Sequence, residues 1–210
     1  HVFEALDGAA GGPVAEGCVG AGTGVRTCGF KAGIGTSSRM IELDGEKFIL
    51  GVLVQANLPG CLVIDGAPVG RELGVIDPEY SAGSGGSIMI VIATDLPLDS
   101  RQLRRTAARA AFGMALVGSS GSHRSGDFVI ALSTTRRNSD PSTGGLFYPA
   151  RTLADEYYLT QIFQAAAEAT QEAILNSIFK AVTVTGRDGN TVEALDLEET
   201  EAILKKYGKL

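Results

Sequence analysis

Within Ser81-Ala82-Gly83-Ser84-Gly85-Gly86-Ser87-Ile88-Met89-Ile90-Val91-Ile92-Ala93 a glycine-rich tract gives way to a strongly apolar strand. Ser87 stands at the junction, so its hydroxyl lies at the start of a buried strand, directly after the unhindered carbonyl of Gly86. Gly and Ser dominate loops for backbone reasons, which favours an ordinary loop that feeds a strand. The same arrangement suits a self-cleaving peptide bond, in which Ser87 Oγ attacks the Gly86 carbonyl. The spacing alone leaves both interpretations open.

Self-cleavage would change the chemistry of Ser87. Hydrolysis of the ester formed on its Oγ would leave Ser87 as a new N-terminus, with a nucleophile and an amine on one residue. Such an amine has a reference pKa of about 7.7–8.0, so a useful fraction is unprotonated near neutral pH. Ser87 would then carry its own general base.

Composition bounds the class of protein. The chain has 210 residues, 44% of them hydrophobic, which suits a single globular domain, 1–210, with a sizeable core. A net charge of -6 argues against nucleic acid as a partner, and the basic run Arg101–Arg109 is interpreted as a solvated helix face. No apolar run approaches the roughly 20 residues of a membrane helix. We therefore expect a cytoplasmic protein without a membrane or nucleic-acid partner.

The cysteines and histidines do not form a metal-binding set. The chain contains Cys18, Cys28 and Cys61, without a C-x-x-C pair, and the histidines are His1 and His123. Free thiols in a reducing compartment are the expected state. We predict no metal and no cofactor.

Hydrophobic patterns divide the chain into a strand-rich first half and a mixed second half. An Asp44-Gly45 pair suits a type I′ hairpin, residues 58–86 form a predicted surface connection, and Asp99 is a predicted helix N-cap. Strands are predicted at Gly24–Phe30, Arg39–Leu43, Phe48–Ala56, Ile88–Ala93 and Phe128–Ser133, and helices at Ser100–Leu116, Ala154–Ala181 and Leu197–Tyr207. This order indicates an α+β layered domain.

Polar residues near strand ends are the remaining candidates for a site. Asn57 either starts a turn before Pro59 or offers its amide to an oxyanion. Ser125 and Asp127 either cap a turn or orient Ser87, because residues i and i+2 of an extended segment point to one side. His123 is an alternative base, although a surface histidine is the simpler interpretation. The glycines of Gly20–Gly24 miss the dinucleotide-binding spacing and are followed by strand residues.

Several ordered motifs carry a resemblance to a known family. They are Gly12–Gly17, Val19–Gly24, Gly29–Arg39, Gly51–Asn57, Gly86–Leu98, Ser125–Asp127 and Thr185–Val192. In these motifs the chain is similar to the DmpA family of self-processing aminopeptidases, peptidase family S58, whose fold is shared with ornithine acetyltransferases. Within Thr185–Val192, the part Thr185–Gly189 is interpreted as a structural turn.

The resemblance implies an αββα sandwich and autoproteolysis between Gly86 and Ser87. Residues 1–86 would be the C-terminal part of an α chain and residues 87–210 the β chain, with αβ units assembled as a homotetramer. Ser87 would be the catalytic nucleophile, Asn57 the oxyanion-hole amide, and Ser125 with Asp127 the pair that orients the nucleophile; some relatives carry Glu at the last position. The implied activity is hydrolysis of N-terminal residues from small peptides, amides or esters.

The front of the chain departs from the family pattern. Members carry a long N-terminal portion before the segment similar to Gly12–Gly17, and this sequence has almost none of it, so we expect the N-terminal portion of the fold to be missing. That portion resembles the source of an acidic residue that binds the substrate amine and of an oxyanion-hole tyrosine. Two alternatives stay open: an ornithine-type acetyltransferase, against which Ser rather than Thr at position 87 counts, and a non-catalytic truncated homologue.

Overall fold

The computed structural model describes residues 1–75, 86–135, 153 and 156–210. The helices in these ranges are α1 (Val2–Asp7), α2 (Val69–Glu72), α3 (Ser100–Ala107), α4 (Ala110–Leu116), α5 (Leu159–Phe179) and α6 (Leu197–Lys206). The strands are β1 (Arg26–Thr27), β2 (Phe30–Lys31), β3 (Ile34–Leu43), β4 (Glu46–Asn57), β5 (Ser87–Thr94), β6 (Phe128–Ser133), β7 (Val184–Thr185) and β8 (Thr191–Val192). Short 3-10 turns lie at Gly20–Gly24, Glu156–Tyr158 and Arg187–Gly189.

A four-stranded sheet in the order β3-β4-β5-β6 organises the described residues. The β3–β4 and β4–β5 pairs are antiparallel, whereas β5 and β6 are parallel. Leu43 pairs with Glu46 across a two-residue turn, and both Asp44 and Gly45 have positive φ, 50° and 81°. These angles are those of a type I′ turn, so the predicted hairpin is confirmed.

One face of this sheet is buried against helix α5. Side chains alternate along β4 and β5, and the inward ones, such as Leu50, Val54 and Ile90, are at most 1% exposed. The small residues of α5 allow a close approach, because a Cβ added at Gly35 would lie 1.9 Å from the carbonyl oxygen of Ala173. The buried sheet residues and α5 therefore form one continuous core.

The opposite face of the sheet is open and apolar, and we call it the open face. Its most exposed large side chains have between 41% and 63% of their surface accessible. They are Met40, Ile49, Met89, Phe128, Ile130 and Leu132. The α+β class is thus confirmed, and within the described ranges the helices cover only the other side of the sheet. The open face is the position expected for the second sheet of the predicted sandwich.

The predicted strand Gly24–Phe30 is wrong. Gly20–Gly24 forms a 3-10 turn, and the segment then folds into the two-residue strands β1 and β2. The reversal falls at Cys28 and Gly29, which both have positive φ, 52° and 87°. Periodicity does not reveal a turn at an apolar cysteine, because cysteine is not a typical turn former.

The predicted helices are confirmed with shifted ends. Asp99 forms a capping box with Gln102, as its N-cap assignment requires, but the helix predicted over Ser100–Leu116 divides into α3 and α4. The long helix begins at Leu159, and its predicted start at Ala154 lies outside the described residues, as do positions 76–85 of the predicted connection. Residues 58–75 of that connection were predicted to lie on the surface, and this is wrong: Leu58, Leu62 and Val69 are at most 1% exposed, because their apolar side chains pack into the core. Every helix in the described ranges is too short or too polar to cross a membrane.

Candidate active site

Ser87 is the first residue of β5 and is half-buried at the end of the sheet. Its Oγ donates a hydrogen bond of 2.6 Å to the carbonyl oxygen of Gly86, the residue before it in the chain. Ser87 pairs with Asn57, the last residue of β4, so both side chains lie on the open face of the sheet. The sequence pattern placed Ser87 at a strand start, and the sheet register places it opposite Asn57.

Gly86 is held in a space that accepts no side chain. A Cβ at this position would lie 2.2 Å from Cδ of Pro59 and 2.7 Å from the carbonyl oxygen of Asn57. Contacts below 3.0 Å to backbone and to a rigid proline ring require the chain to move. Glycine therefore fixes where the carbonyl before Ser87 lies.

The Asn57 amide is oriented by a backbone donor. Its Oδ1 accepts a hydrogen bond from the Arg26 N–H at 3.2 Å, which joins the end of β4 to the start of β1. An asparagine amide carries its acceptor and its donors on opposite sides, so the Nδ2 protons point away from Arg26. The side chain thus presents donors rather than an acceptor to its other surroundings.

Ser125 and Asp127 lie in the loop before β6, and they bond to each other. Ser125 Oγ donates to Asp127 Oδ1 at 2.7 Å. Within the described part of the chain, neither side chain hydrogen-bonds Ser87. The loop that carries them meets Ser87, and the contact is made by the backbone of the loop.

Gly126 provides that contact, and sequence reasoning missed it. Its N–H lies 3.2 Å from the Gly86 carbonyl oxygen and 3.3 Å from Ser87 Oγ. The parallel pairing of Met89 with Phe128 explains the position, because parallel strands start at the same edge of a sheet. A signal was present in the sequence: Gly126 lies between the two residues that resemble the orienting pair.

The other candidates lie apart from this group. His123 is exposed, and the Gly20–Gly24 segment is a 3-10 turn rather than the start of a helix. All three cysteines are free, and the described residues contain no cluster suited to a metal ion. Thr185–Gly189 belongs to a turn between β7 and β8 with positive φ at Asp188 and Gly189, as predicted.

The site brings together the Ser87 hydroxyl, the Gly86 carbonyl, the Gly126 N–H and the Asn57 amide. This arrangement suits acyl transfer. The N–H that bonds the carbonyl oxygen also stabilises the negative charge that develops on this oxygen when a hydroxyl attacks the carbonyl carbon. The side-chain amide of Asn57 lies one strand away as a further donor. The geometry favours nucleophilic chemistry at Ser87.

Comparisons with known proteins agree with this geometry. Residues 1–192 match the model of peptidase family S58. The chain is 45% identical over 225 residues to the beta-peptidyl aminopeptidase BapA of Sphingosinicella microcystinivorans, in an alignment that covers 100% of this chain and 56% of that protein.

Solved structures share the fold. The L-aminopeptidase D-Ala-esterase/amidase of Ochrobactrum anthropi, described as a variant of the Ntn hydrolase fold, is similar with a TM-score of 0.89 and 39% identity, covering 100% of this chain and 57% of that one. The PH0078 protein of Pyrococcus horikoshii OT3 gives a TM-score of 0.89 and 40% identity, with the same coverage. The chain thus spans little more than half the length of these relatives.

Proposed function

Because the chain belongs to peptidase family S58, we propose that the protein is a self-processing serine aminopeptidase whose nucleophile is Ser87. The observation that carries the proposal is the set of contacts at Gly86–Ser87, where Ser87 Oγ and the Gly126 N–H both bond the Gly86 carbonyl oxygen. The substrates are small peptides, amides or esters with a free N-terminal residue, as the names of the relatives suggest. The reaction is hydrolysis.

Self-cleavage is the first step of this proposal. Ser87 Oγ attacks the Gly86 carbonyl carbon, the Gly126 N–H and the Asn57 Nδ2 protons stabilise the oxyanion, and the carbon–nitrogen bond breaks as the Oγ proton passes to the Ser87 nitrogen. Water then attacks the ester carbon. The products are a Gly86 carboxylate and a Ser87 residue with a free amine and a free hydroxyl.

Aminopeptidase turnover reuses the same hydroxyl. The Ser87 amine accepts the Oγ proton, Oγ forms an ester with the substrate's N-terminal residue, and the leaving amine takes the proton. The Asn57 Nδ2 protons are donors for the oxyanion of this step, and Ser125 with Asp127 fixes the loop that carries Gly126. Water deacylates Ser87 and restores its hydroxyl.

The pieces produced by cleavage would stay together as an αβ unit. Residues 1–86 keep β4 and residues 87–210 keep β5, and these strands pair over eight residues. A tetramer of such units, which the family resemblance implies, completes the proposed assembly.

Intact-mass measurement under denaturing conditions tests self-processing directly. We expect a break between Gly86 and Ser87 in the wild type and a single uncleaved species for Ser87→Ala. Ser84→Ala, a nearby serine on the other side of the bond, is the matched control and should be cleaved normally. An uncleaved wild-type chain would contradict the proposal.

A substrate assay separates the hydrolase from an acetyltransferase on the same fold. The processed protein should release N-terminal residues from aminoacyl amides, and Asn57→Ala should lower this rate by about 10²–10³-fold, the effect of removing one oxyanion donor. Transfer of acetyl from acetylated ornithine to glutamate, without amide hydrolysis, would favour the acetyltransferase instead.

A further inference from the structure

Lys31 is a buried charged side chain that the proposed reaction does not use. Only 1% of its surface is exposed. Its Nζ donates to the backbone carbonyl oxygens of Gly22, Val25 and Ala32, at 3.1, 2.9 and 2.5 Å. An ammonium group has three protons, so these bonds use its full donor capacity. Burial of a charge is costly unless the charge is bonded in this way, so the position needs a reason.

One peptide unit connects Lys31 to the candidate active site. The carbonyl of Val25 accepts the Lys31 bond, and the N–H of the same peptide unit, that of Arg26, donates to Asn57 Oδ1. Carbonyl and N–H lie on opposite sides of a planar peptide. An ammonium on the carbonyl side polarises the unit and strengthens the donor on the other side, because hydrogen bonds in series reinforce one another.

The local strand pairing keeps this Arg26 N–H directed at Asn57. Val25 and Ala32 bond across the β1–β2 hairpin, with the Ala32 N–H donating to the Val25 carbonyl at 3.3 Å. In an antiparallel pair the next residues, Arg26 and Lys31, form a non-hydrogen-bonded pair, whose N–H groups point out of the ladder. Lys31 thus makes the shorter of the two bonds to the Val25 carbonyl oxygen, 2.9 Å against 3.3 Å, next to a donor that is directed at Asn57.

We propose that Lys31 is a positioning residue for Asn57. Its ammonium holds the Val25–Arg26 peptide, the Arg26 N–H holds Asn57 Oδ1, and the Nδ2 protons of Asn57 are thereby kept on the side of Ser87, its partner across the strands. Without the charge, the Asn57 amide is free to rotate and present an oxygen to a developing oxyanion. The inference rests on the proposed function in one respect, the role of Asn57 as an oxyanion donor.

A double-mutant cycle on the self-cleavage rate tests this role. Lys31→Met, a neutral side chain of similar length, is expected to slow cleavage on the order of tenfold, and Asn57→Ala on the order of a hundredfold. The double variant should be no slower than Asn57→Ala alone, because Lys31 then has nothing left to position. If the rate losses of the two single variants multiply in the double variant, the proposal is overturned, and Lys31 contributes to the general stability of the fold instead.

The matched control is Lys47→Met, which removes an exposed lysine of β4 and should leave cleavage at the wild-type rate. Equal slowing by Lys47→Met would also overturn the proposal. If Lys31→Met lacks a cooperative unfolding transition, Lys31→Gln takes its place in the cycle, since its amide keeps a neutral donor in the same space.

Hydrogen exchange supplies a readout that does not depend on cleavage. In a Ser87→Ala background, Lys31→Met should lower the exchange protection of the Arg26 amide while the Val54 amide, in the middle of β4, keeps its protection. Unchanged protection of Arg26 would overturn the proposed connection. A wild-type chain that is never cleaved would refute the proposed function, whereas the exchange result would still decide whether Lys31 holds the Arg26–Asn57 bond.

Discussion

At the residue scale, the candidate site depends on backbone groups as much as on side chains. Gly126 offers its N–H to both atoms that would react, and Gly86 fixes the carbonyl because its surroundings accept no Cβ. A backbone donor is preorganised by the strand beside it, so it needs no reorientation when charge develops. The two glycines therefore have separate functions that substitution can test independently.

Gly126→Pro removes the N–H, and Gly126→Ala keeps it. An added Cβ at this position would lie 3.4 Å from both Ser87 Oγ and Phe128 Cε2, which is ordinary contact. We expect proline to slow self-cleavage by about 10²-fold, as for loss of an oxyanion donor, and alanine to stay much closer to the wild-type rate. Mass spectrometry over time gives both rates. Equal rates for the two variants would show that the N–H has no role.

Gly86→Ala should slow self-cleavage although it removes no donor. The new methyl group collides with Pro59 and the Asn57 carbonyl, so the scissile carbonyl must move, and a displacement of about 1 Å can cost about 10²-fold in rate. Gly51→Ala is the matched control, because its Cβ would meet no atom closer than 3.8 Å. Cleavage of Gly86→Ala at the control's rate would contradict this explanation.

At the scale of elements, a surface contact joins helices that precede and follow the Gly86–Ser87 bond in the chain. Glu72 of α2 accepts hydrogen bonds from Lys206 Nζ at 2.6 Å and from the Tyr207 hydroxyl at 2.7 Å, at the end of α6. Both bonds lower the pKa of the Glu72 carboxyl, and the bond from Lys206 has the larger effect. The contact thus stabilises the docking of α6 on α2 while Glu72 is ionised.

This contact predicts a pH-dependent stability. A lowered folded-state pKa means that the contribution is complete above the unfolded pKa of about 4.5 and is lost as the pH falls through the folded value. Wild type should therefore melt above Glu72→Gln at pH 7, and the difference should shrink as the pH falls below the unfolded value of about 4.5. Glu42→Gln, at an exposed position of β3, is the control. A difference at pH 3 as large as that at pH 7 would contradict the assignment.

At the scale of the whole molecule, the sheet would hold together the two pieces that the proposed cleavage produces. The β4–β5 ladder joins the parts of the chain on either side of the Gly86–Ser87 bond, and α5, which follows this bond in the chain, packs on β3 and β4, which precede it. We predict that the cleaved pieces elute together on size exclusion in native buffer and separate in denaturant. Separation in native buffer would mean that this shared core does not hold the pieces.

The open face makes a second prediction about the whole protein. If a second sheet covers it, as in the sandwich that the resemblance implies, Ile130→Asp places an unpaired charge in an interface and lowers the free energy of unfolding by about 3 kcal/mol or more. Val182→Asp, at an exposed position outside the sheet, should change it by no more than about 0.5 kcal/mol. Denaturant titration measures both values. Equally small changes in the free energy of unfolding for both variants would show that the open face is exposed to solvent.

The sequence by itself determined the fold class and several of the local turns, caps and strands that build it. The hairpin at Asp44-Gly45, the cap at Asp99 and the strand that starts at Ser87 are local consequences of turn chemistry, capping and periodicity. The family motifs added Asn57 and the Ser125–Asp127 segment, whose roles stay predictions. Local rules failed at the turn of Cys28 and Gly29, where the Cys28 N–H donates a tertiary hydrogen bond of 2.8 Å to the Leu58 carbonyl oxygen.

Only the tertiary structure decided which atoms meet. Antiparallel register sets Asn57 opposite Ser87, and parallel pairing of β5 with β6 brings the Gly126 N–H rather than the Ser125 or Asp127 side chain to Ser87. The buried ammonium of Lys31 bonds carbonyls up to nine residues away, which no periodicity predicts. The physical reason is that hydrogen-bond partners across strands are fixed by the strand register and by the path of the chain in space. The local pattern of side chains predicts neither the partner strand nor that path.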